Sequence, residues 1–216
     1  MHMRQYQGQS VGIILVPVML MLFILVFPST IPAAQTGSAV PKMRPYVGIG
    51  ILHLPVSTDT ETSSDSLYLY EEPALSRLRP LNKAKPPSHE WIFGSSSQTV
   101  LFIVMARKGK WLLITYDDAG REAWLAPGRQ GTFQKWDSFF KGQSLRMLPG
   151  LQKRFYQIWK EPGAEVMASV TPRQAFRVLR VEGDWLMVMA DQNSLGWLRW
   201  RDDDGRLLVG LEQVSR

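Results

Sequence analysis

The sequence predicts an all-β fold, two tandem small barrels joined by a basic linker with a short helical segment. Three observations carry this prediction. Arg107–Leu125, RKGKWLLITYDDAGREAWL, reads as a strand, a tight turn and a returning strand, with Trp111 near its start and Trp124 near its end. The pattern returns as Val181–Leu198, VEGDWLMVMADQNSLGWL, where Trp185 follows Trp111 by 74 positions and Trp197 follows Trp124 by 73. One residue in the turn absorbs the difference. Ahead of each hairpin, alternating large residues run into Glu-Pro, as LYLYEEP at 67–73 and YQIWKEP at 156–162. Proline cannot donate to a ladder, so each run reads as a strand entering a turn.

Composition bounds the rest. A chain of 216 residues has room for one large domain or two small ones. Eight tryptophans point to small cores that rely on a few large side chains. The formal charge of +6, with a pI near 9.7, favours acidic partners. With no cysteine there is no disulfide framework, no thiolate metal site, no cysteine nucleophile and no acyl-anchored lipoprotein.

Residues 1–39 are expected to be a signal peptide or an N-terminal membrane anchor. Arg4, the only Lys or Arg in the first 41 residues, precedes the uncharged apolar run Val11–Phe27. That run has 17 residues with Pro17 inside, short of the roughly 20 of a comfortable span. Ala33, Ala34 and Ala39 each suit the position before a cleavage site. Cleaved or retained, the segment implies export, with the remainder periplasmic or extracytoplasmic.

Residues 40–66 read as an extended lead-in strand and a polar loop. Val47, Ile49 and Ile51 alternate against Gly48 and Gly50, where the glycines suit close backbone approach. STDTETSSDS at 57–66 has no apolar residue and reads as a solvated loop.

The first repeat spans 67–127 and the second 155–200. The Glu-Pro runs are offset by 89 rather than 74, so 15 additional residues lie within the first repeat. They are assigned to a loop insertion at 78–98, LRPLNKAKPPSHEWIFGSSSQ. Unstructured loops of that length are uncommon and often functional. The strands VLFIVM at 100–105 and AFRVL at 175–179 follow, with Phe102 aligned to Phe176 and Val104 to Val178. In the hairpin, Trp111, Leu113 and Thr115 share one face, and Leu112, Ile114 and Tyr116 the other. Asp117-Asp-Ala-Gly120 and Asp191-Gln-Asn-Ser194 supply turn chemistry, which is the ordinary role for their carboxylates.

Residues 128–154 form the linker. Phe133, Trp136 and Phe140 at i, i+3 and i+7 predict an amphipathic helical segment capped by Thr132, its apolar face packed between the repeats. Arg129, Lys135, Lys141, Arg146, Lys153 and Arg154 stand there against Asp137 alone, as a solvated basic face or an anionic-polymer site. Residues 201–216 end the chain, with an Asp204-Gly205 turn and a last strand at Leu207–Leu211. The triplet Asp202-Asp203-Asp204 lacks the ligand spacing and terminal Glu of a calcium loop.

The second repeat resembles the bacterial SH3-like domain through Glu161-Pro162-Gly163, Gly183-Asp184-Trp185 and Gly196-Trp197-Leu198. The first keeps Gly109-Lys110-Trp111 but has Ala123 where that family has the glycine before Trp124. The resemblance covers about two-thirds of the chain, Leu67–Trp200. It implies small β-barrels and binding of a peptide, peptidoglycan or an envelope protein at aromatic grooves. On that basis Trp111, Tyr116, Trp124, Trp185 and Trp197 are the candidate binding residues.

Enzyme motifs are missing. Outside the leader the only histidines are His53 and His89, and there is no nucleophile elbow, HExxH, Walker loop or dinucleotide fingerprint. The expectation is an exported, non-catalytic binding module with no cofactor and no metal. Its membrane contact would be confined to an uncleaved leader, and no nucleic-acid partner is expected. The alternative is an assembly subunit that docks on an envelope complex through the insertion and linker.

Overall fold

The structure is a computed structural model that describes residues 43–56, 67–82, 89–94, 98–190 and 194–212. The leader 1–39, the polar run 57–66, the centre of the insertion and the turn at 191–193 lie outside the described residues. Alternating sequence becomes strand almost everywhere. The first set comprises β1 (Gly50–Pro55), β2 (Tyr68–Glu72), β3 (Leu75–Pro80), β4 (Thr99–Lys108), β5 (Trp111–Thr115), β6 (Glu122–Leu125) and β7 (Thr132–Lys135). The second comprises β8 (Ser144–Met147), β9 (Gln157–Trp159), β10 (Val166–Ser169), β11 (Ala175–Glu182), β12 (Trp185–Ala190), β13 (Ser194–Arg199) and β14 (Val209–Leu211). Among the described residues, two short α-helices, α1 (Glu90–Phe93) and α2 (Trp136–Phe140), and a 3-10 turn at Lys153–Tyr156 complete the regular elements.

The strands form two antiparallel sheets of seven. Sheet 1 runs β3-β2-β6-β5-β4-β1-β7 and sheet 2 runs β10-β9-β13-β12-β11-β8-β14. Each order is the other moved along by seven, so the repeat extends well beyond the tryptophan hairpin. The lead-in residues Gly50–Pro55 are an inner strand of sheet 1, between β4 and β7. Residues 128–154 give β7 to sheet 1 and β8 to sheet 2. Gly205 N–H donates to the Asp202 carbonyl across the C-terminal turn, and β14 pairs with β8.

Finer features recur as well. Lys108 faces Trp111 and Glu182 faces Trp185 across two-residue turns, with Gly109 at φ +60° and Gly183 at φ +54°. Such turns need positive φ at their first central residue, which glycine adopts without a Cβ penalty. The register also shifts in the same place, between Val104 and Ala106 in β4 and between Val178 and Arg180 in β11. One extra residue there bends each strand and re-aims the side chains beyond it.

The core has two parts. Leu52, Leu54, Leu69, Phe102, Val104, Leu112, Ile114 and Leu125 cluster on the inner face of sheet 1. Ile51 and Ile103, on the opposite face of β1 and β4, join a second cluster with Phe176, Val178, Leu186, Val188 and Leu198 of sheet 2. β1 and β4 are therefore buried on both faces, which is why VLFIVM is a continuous apolar run. Between the sheets sit the linker aromatics. Trp136 stacks on Phe140 at 5.0 Å and lies 5.6 Å from Trp200, and its indole N–H donates to the Val47 carbonyl at 2.7 Å.

Two expectations are corrected. The helical segment is shorter than predicted: Thr132 and Phe133 belong to β7, and the helix begins at Trp136 after Lys135. Phe133 packs against the inner cluster of sheet 1, while Trp136, Phe139 and Phe140 enter the cluster shared with sheet 2. Pairing with β1 outweighs the helical spacing of the aromatics. The insertion is also more than a surface loop. Its first residues continue β3 beside β2. Its α1 buries Ile92 and Phe93 against sheet 2, and Gly210 stands where a Cβ would press on the Ile92 carbonyl.

Candidate functional site

The aromatic residues of the hairpins lie on the outer face of each sheet. In β5 the alternation puts Leu112 and Ile114 inside and leaves Trp111 and Leu113 half-buried outside. Across the ladder Leu113 faces Trp124, and Trp124 in turn faces Tyr70 of β2. Tyr70 meets Trp111 edge to face at 5.0 Å. These residues form one aromatic strip across β5, β6 and β2. In sheet 2 the strip repeats: Met187 faces Trp197, Trp197 faces Trp159, and Trp159 meets Trp185 edge to face at 6.0 Å. Edge-to-face contact at this spacing suits the ring quadrupoles and holds both partners in place.

Of the five predicted residues, Trp111 and Trp124 come together on sheet 1, and Trp185 and Trp197 on sheet 2. Tyr116 does not join them. It lies past the end of β5 on the core side, packed against the inner cluster and flanked by Arg79 at 4.9 Å and Arg121 at 5.6 Å. Tyr70 and Trp159, which complete the strips, were legible in the sequence. They occupy the same place in LYLYEEP and YQIWKEP.

The strips differ in what covers them. Arg180 of β11 stacks over Trp197 at 5.3 Å, held by an ion pair to Glu182 at 2.9 Å. Arg199 sits 5.8 Å from the Trp185 ring and pairs with Asp203 at 2.8 Å. Trp197 is only 6% exposed. The corresponding positions in the first repeat are Ala106 and Ala126. Ala106 faces Leu113 as Arg180 faces Met187. Among the described residues no arginine therefore lies over Trp111 or Trp124. On sheet 1 the covering cation is Arg77 of β3, displaced to Tyr68 at 4.3 Å and Tyr70 at 6.0 Å.

The acidic turns have structural work. Asp117 accepts the Arg121 backbone N–H at 3.0 Å and its guanidinium at 2.6 Å. Burial works to raise its pKa, but the bonds to Arg121 outweigh it and hold the carboxyl below its ordinary value. Asp202 is buried, accepts the backbone N–H groups of Asp204 and Arg206, and pairs with Arg44 at 2.7 Å. There too burial raises the pKa and the hydrogen bonds win, so it stays lowered. Asp202 thereby ties the C-terminal turn to the segment before β1.

Both histidines are shifted towards neutrality. Burial lowers His53, partly offset by its hydrogen bond with Gln134, and lowers His89, partly offset by the charge of Asp118. His53 packs edge-on to Phe139 at 5.7 Å and His89 to Phe93 at 6.1 Å. Each is placed by aromatic packing and has one ring nitrogen without a hydrogen bond among the described residues. Among those residues no three His, Asp or Glu side chains gather as a metal ion requires.

No family model matches the chain, and no curated protein matches it. Among solved structures it is similar to the endolysin LysPBC5 CBD, at 13% identity over 78% of this chain and 98% of that one, with a TM-score of 0.23.

Proposed function

We propose that this chain is an exported, non-catalytic binding module of the bacterial cell envelope, built from two SH3-like repeats. Its first repeat holds an extended peptide, carried on the wall or on an envelope protein, against the strip Trp111, Trp124 and Tyr70. The observation that supports this is the exchange of Arg180 and Arg199 in one repeat for Ala106 and Ala126 in the other. Half-buried tryptophans with small neighbours offer apolar area to a ligand at little ordering cost. The second strip, under its arginines, serves mainly as the outer seal of sheet 2. Export rests on the leader's sequence, and residues 11–27 would serve as an inner-membrane anchor if the leader is retained.

Retention of the full-length chain on isolated sacculi, and on arrays of envelope-derived peptides, tests the reading. Trp111→Ala should lower retention about tenfold, and Trp185→Ala by no more than about twofold. Near-ultraviolet circular dichroism checks that both variants fold. Equal retention by wild type and a folded Trp111→Ala, Trp124→Ala double variant would sink it.

The assembly alternative, docking through the insertion and linker, is narrowed: Ile92, Phe93, Trp136, Phe139 and Phe140 are buried within the protein, while Leu78 of the insertion stays exposed.

A further inference from the structure

At one end of sheet 1 the Gly109-Lys110 turn faces the segment 126–133 across a cavity of about 640 Å³. Its wall includes Arg107, Lys110, Leu112, Pro127, Thr132 and Phe133, and among the described residues no acidic one lines it. Arg107 is fixed rather than free to wander: its Nε donates to the Gly109 carbonyl at 3.0 Å and its guanidinium lies 5.7 Å from the Phe133 ring centre. Neither Arg107 nor Lys110 makes an ion pair among the described residues. Two cations thus face a cavity with no counter-charge in its wall.

The second repeat fills the same place. Position 107 becomes Val181, position 110 becomes Asp184, and Pro127 becomes Trp200. Trp200 ties the turn shut, its backbone N–H donating to the Asp184 carbonyl at 3.0 Å and its indole N–H to the Gly183 carbonyl at 2.9 Å. Asp184 holds the guanidinium of Arg201 and lies 3.7 Å from that of Arg199. Proline has no N–H, so Pro127 cannot tie the first turn as Trp200 ties the second. What distinguishes the first repeat is an unsealed turn and an excess of positive charge at the same spot.

We infer that this cavity is an oxyanion-binding site, in which Arg107 and Lys110 receive the carboxylate or phosphate of a polymer and Phe133 packs against the chain that carries it. A guanidinium with a fixed Nε keeps its remaining N–H donors for a planar or tetrahedral oxyanion, and a lysine beside it adds a point charge. The site lies next to Trp111 in sequence, so an anionic group here and an apolar segment on the aromatic strip fit one ligand. Only that choice of natural ligand rests on the envelope-binding reading; the anion site stands by itself.

The test uses the full-length chain titrated with inorganic phosphate, a glycerol phosphate oligomer and an N-acetylated peptide ending in a carboxylate, followed by intrinsic tryptophan fluorescence, with Trp111→Phe as the control that assigns the change, and by amide chemical shifts. Perturbation should centre on 107–112 and 126–133. Lys110→Asp, which installs the residue of the second repeat, should weaken binding about tenfold, and Lys110→Gln should weaken it less. Lys141→Asp, the same charge change at an exposed lysine outside the cavity, should leave it within about twofold. Preference for the oligomer points to a phosphodiester polymer and preference for the peptide to stem-peptide carboxylates; either supports the site. Absence of binding by all three probes, or equal losses in Lys110→Asp and Lys141→Asp, overturns it. Anion binding that persists in a chain not retained by sacculi would count against the envelope module and leave this site standing.

Discussion

The two seven-stranded sheets share strand order, bulge and glycine turn, yet they diverge at a handful of positions around the first tryptophan of each hairpin. Where sheet 2 has Arg180, Asp184, Arg199 and Trp200, sheet 1 has Ala106, Lys110, Ala126 and Pro127. In the second repeat these residues cover the tryptophans, neutralise the turn and seal the end of the sheet. In the first, the tryptophans lack that cover and the turn is cationic. The comparison teaches that the backbone pattern and the surface chemistry are set by different residues. Inward-facing positions and turn glycines keep the fold, and outward-facing ones decide whether a face is covered.

The largest expected effect concerns the seal. Trp200 is buried between Trp136 and Phe140, so Trp200→Ala should cost about 3–5 kcal/mol of stability in urea unfolding. Pro127→Ala, at the equivalent place, should cost about 1 kcal/mol or less. Similar losses at both sites would mean that the two ends are sealed alike, and the contrast would fail.

Next in size is the cover over the aromatic strip. Ala126→Arg should place a guanidinium beside Trp111, as Arg199 lies beside Trp185, and lower sacculus retention about fivefold, on the order of 1 kcal/mol. Its unfolding midpoint should hardly move. Undiminished retention would show that cover is not what separates the strips.

A shared feature gives a matched pair. Gly109 and Gly183 both have positive φ and no atom within 4 Å of a built Cβ, so alanine meets backbone strain and no clash. Each substitution should cost about 1 kcal/mol, measured by thermal unfolding. A clear inequality would expose a difference between the turns beyond their side chains.

The smallest effect is pH dependence. Burial depresses His53 and His89 below their ordinary value of 6.5, so the unfolded chain binds more protons as the solution is acidified. Their contribution is fully present above pH 6.5 and is lost as pH falls from there through the depressed folded values. Asp117 and Asp202, also depressed, add a loss of the same sign below their ordinary value of 3.8. The melting temperature should fall between pH 7 and pH 5, and His89→Gln should flatten that slope. A slope unchanged in the His89→Gln, His53→Gln double variant would remove the histidines from the account.

Much of this was readable along the chain. The alternation in WLLIT separates two faces without saying which is inside, and the spacing of 74 pairs Trp111 with Trp185 and Phe102 with Phe176. The alignment of Tyr70 with Trp159 also stood in the sequence, but the aromatic strips need the cross-strand register to be seen. Arg180 and Arg199 were legible only as residues of a basic chain. That they cover tryptophans follows from the bulge and from pairing between strands. The helical spacing of Phe133, Trp136 and Phe140 misled because a four-residue strand and a five-residue helix share it.

By itself the sequence determined the fold class, the repeat and the turn positions, because periodicity, proline and glycine act locally. Tertiary structure decided the extent of each repeat, since β1, β7, β8 and β14 gain their identity only from partners far along the chain. It also decided which hairpin is open. RKGKWLLITYDDAGREAWL and its twin carry the same local signals, and only the residues folded over each from neighbouring strands and loops cover one and leave the tryptophans of the other half-buried without an arginine above them.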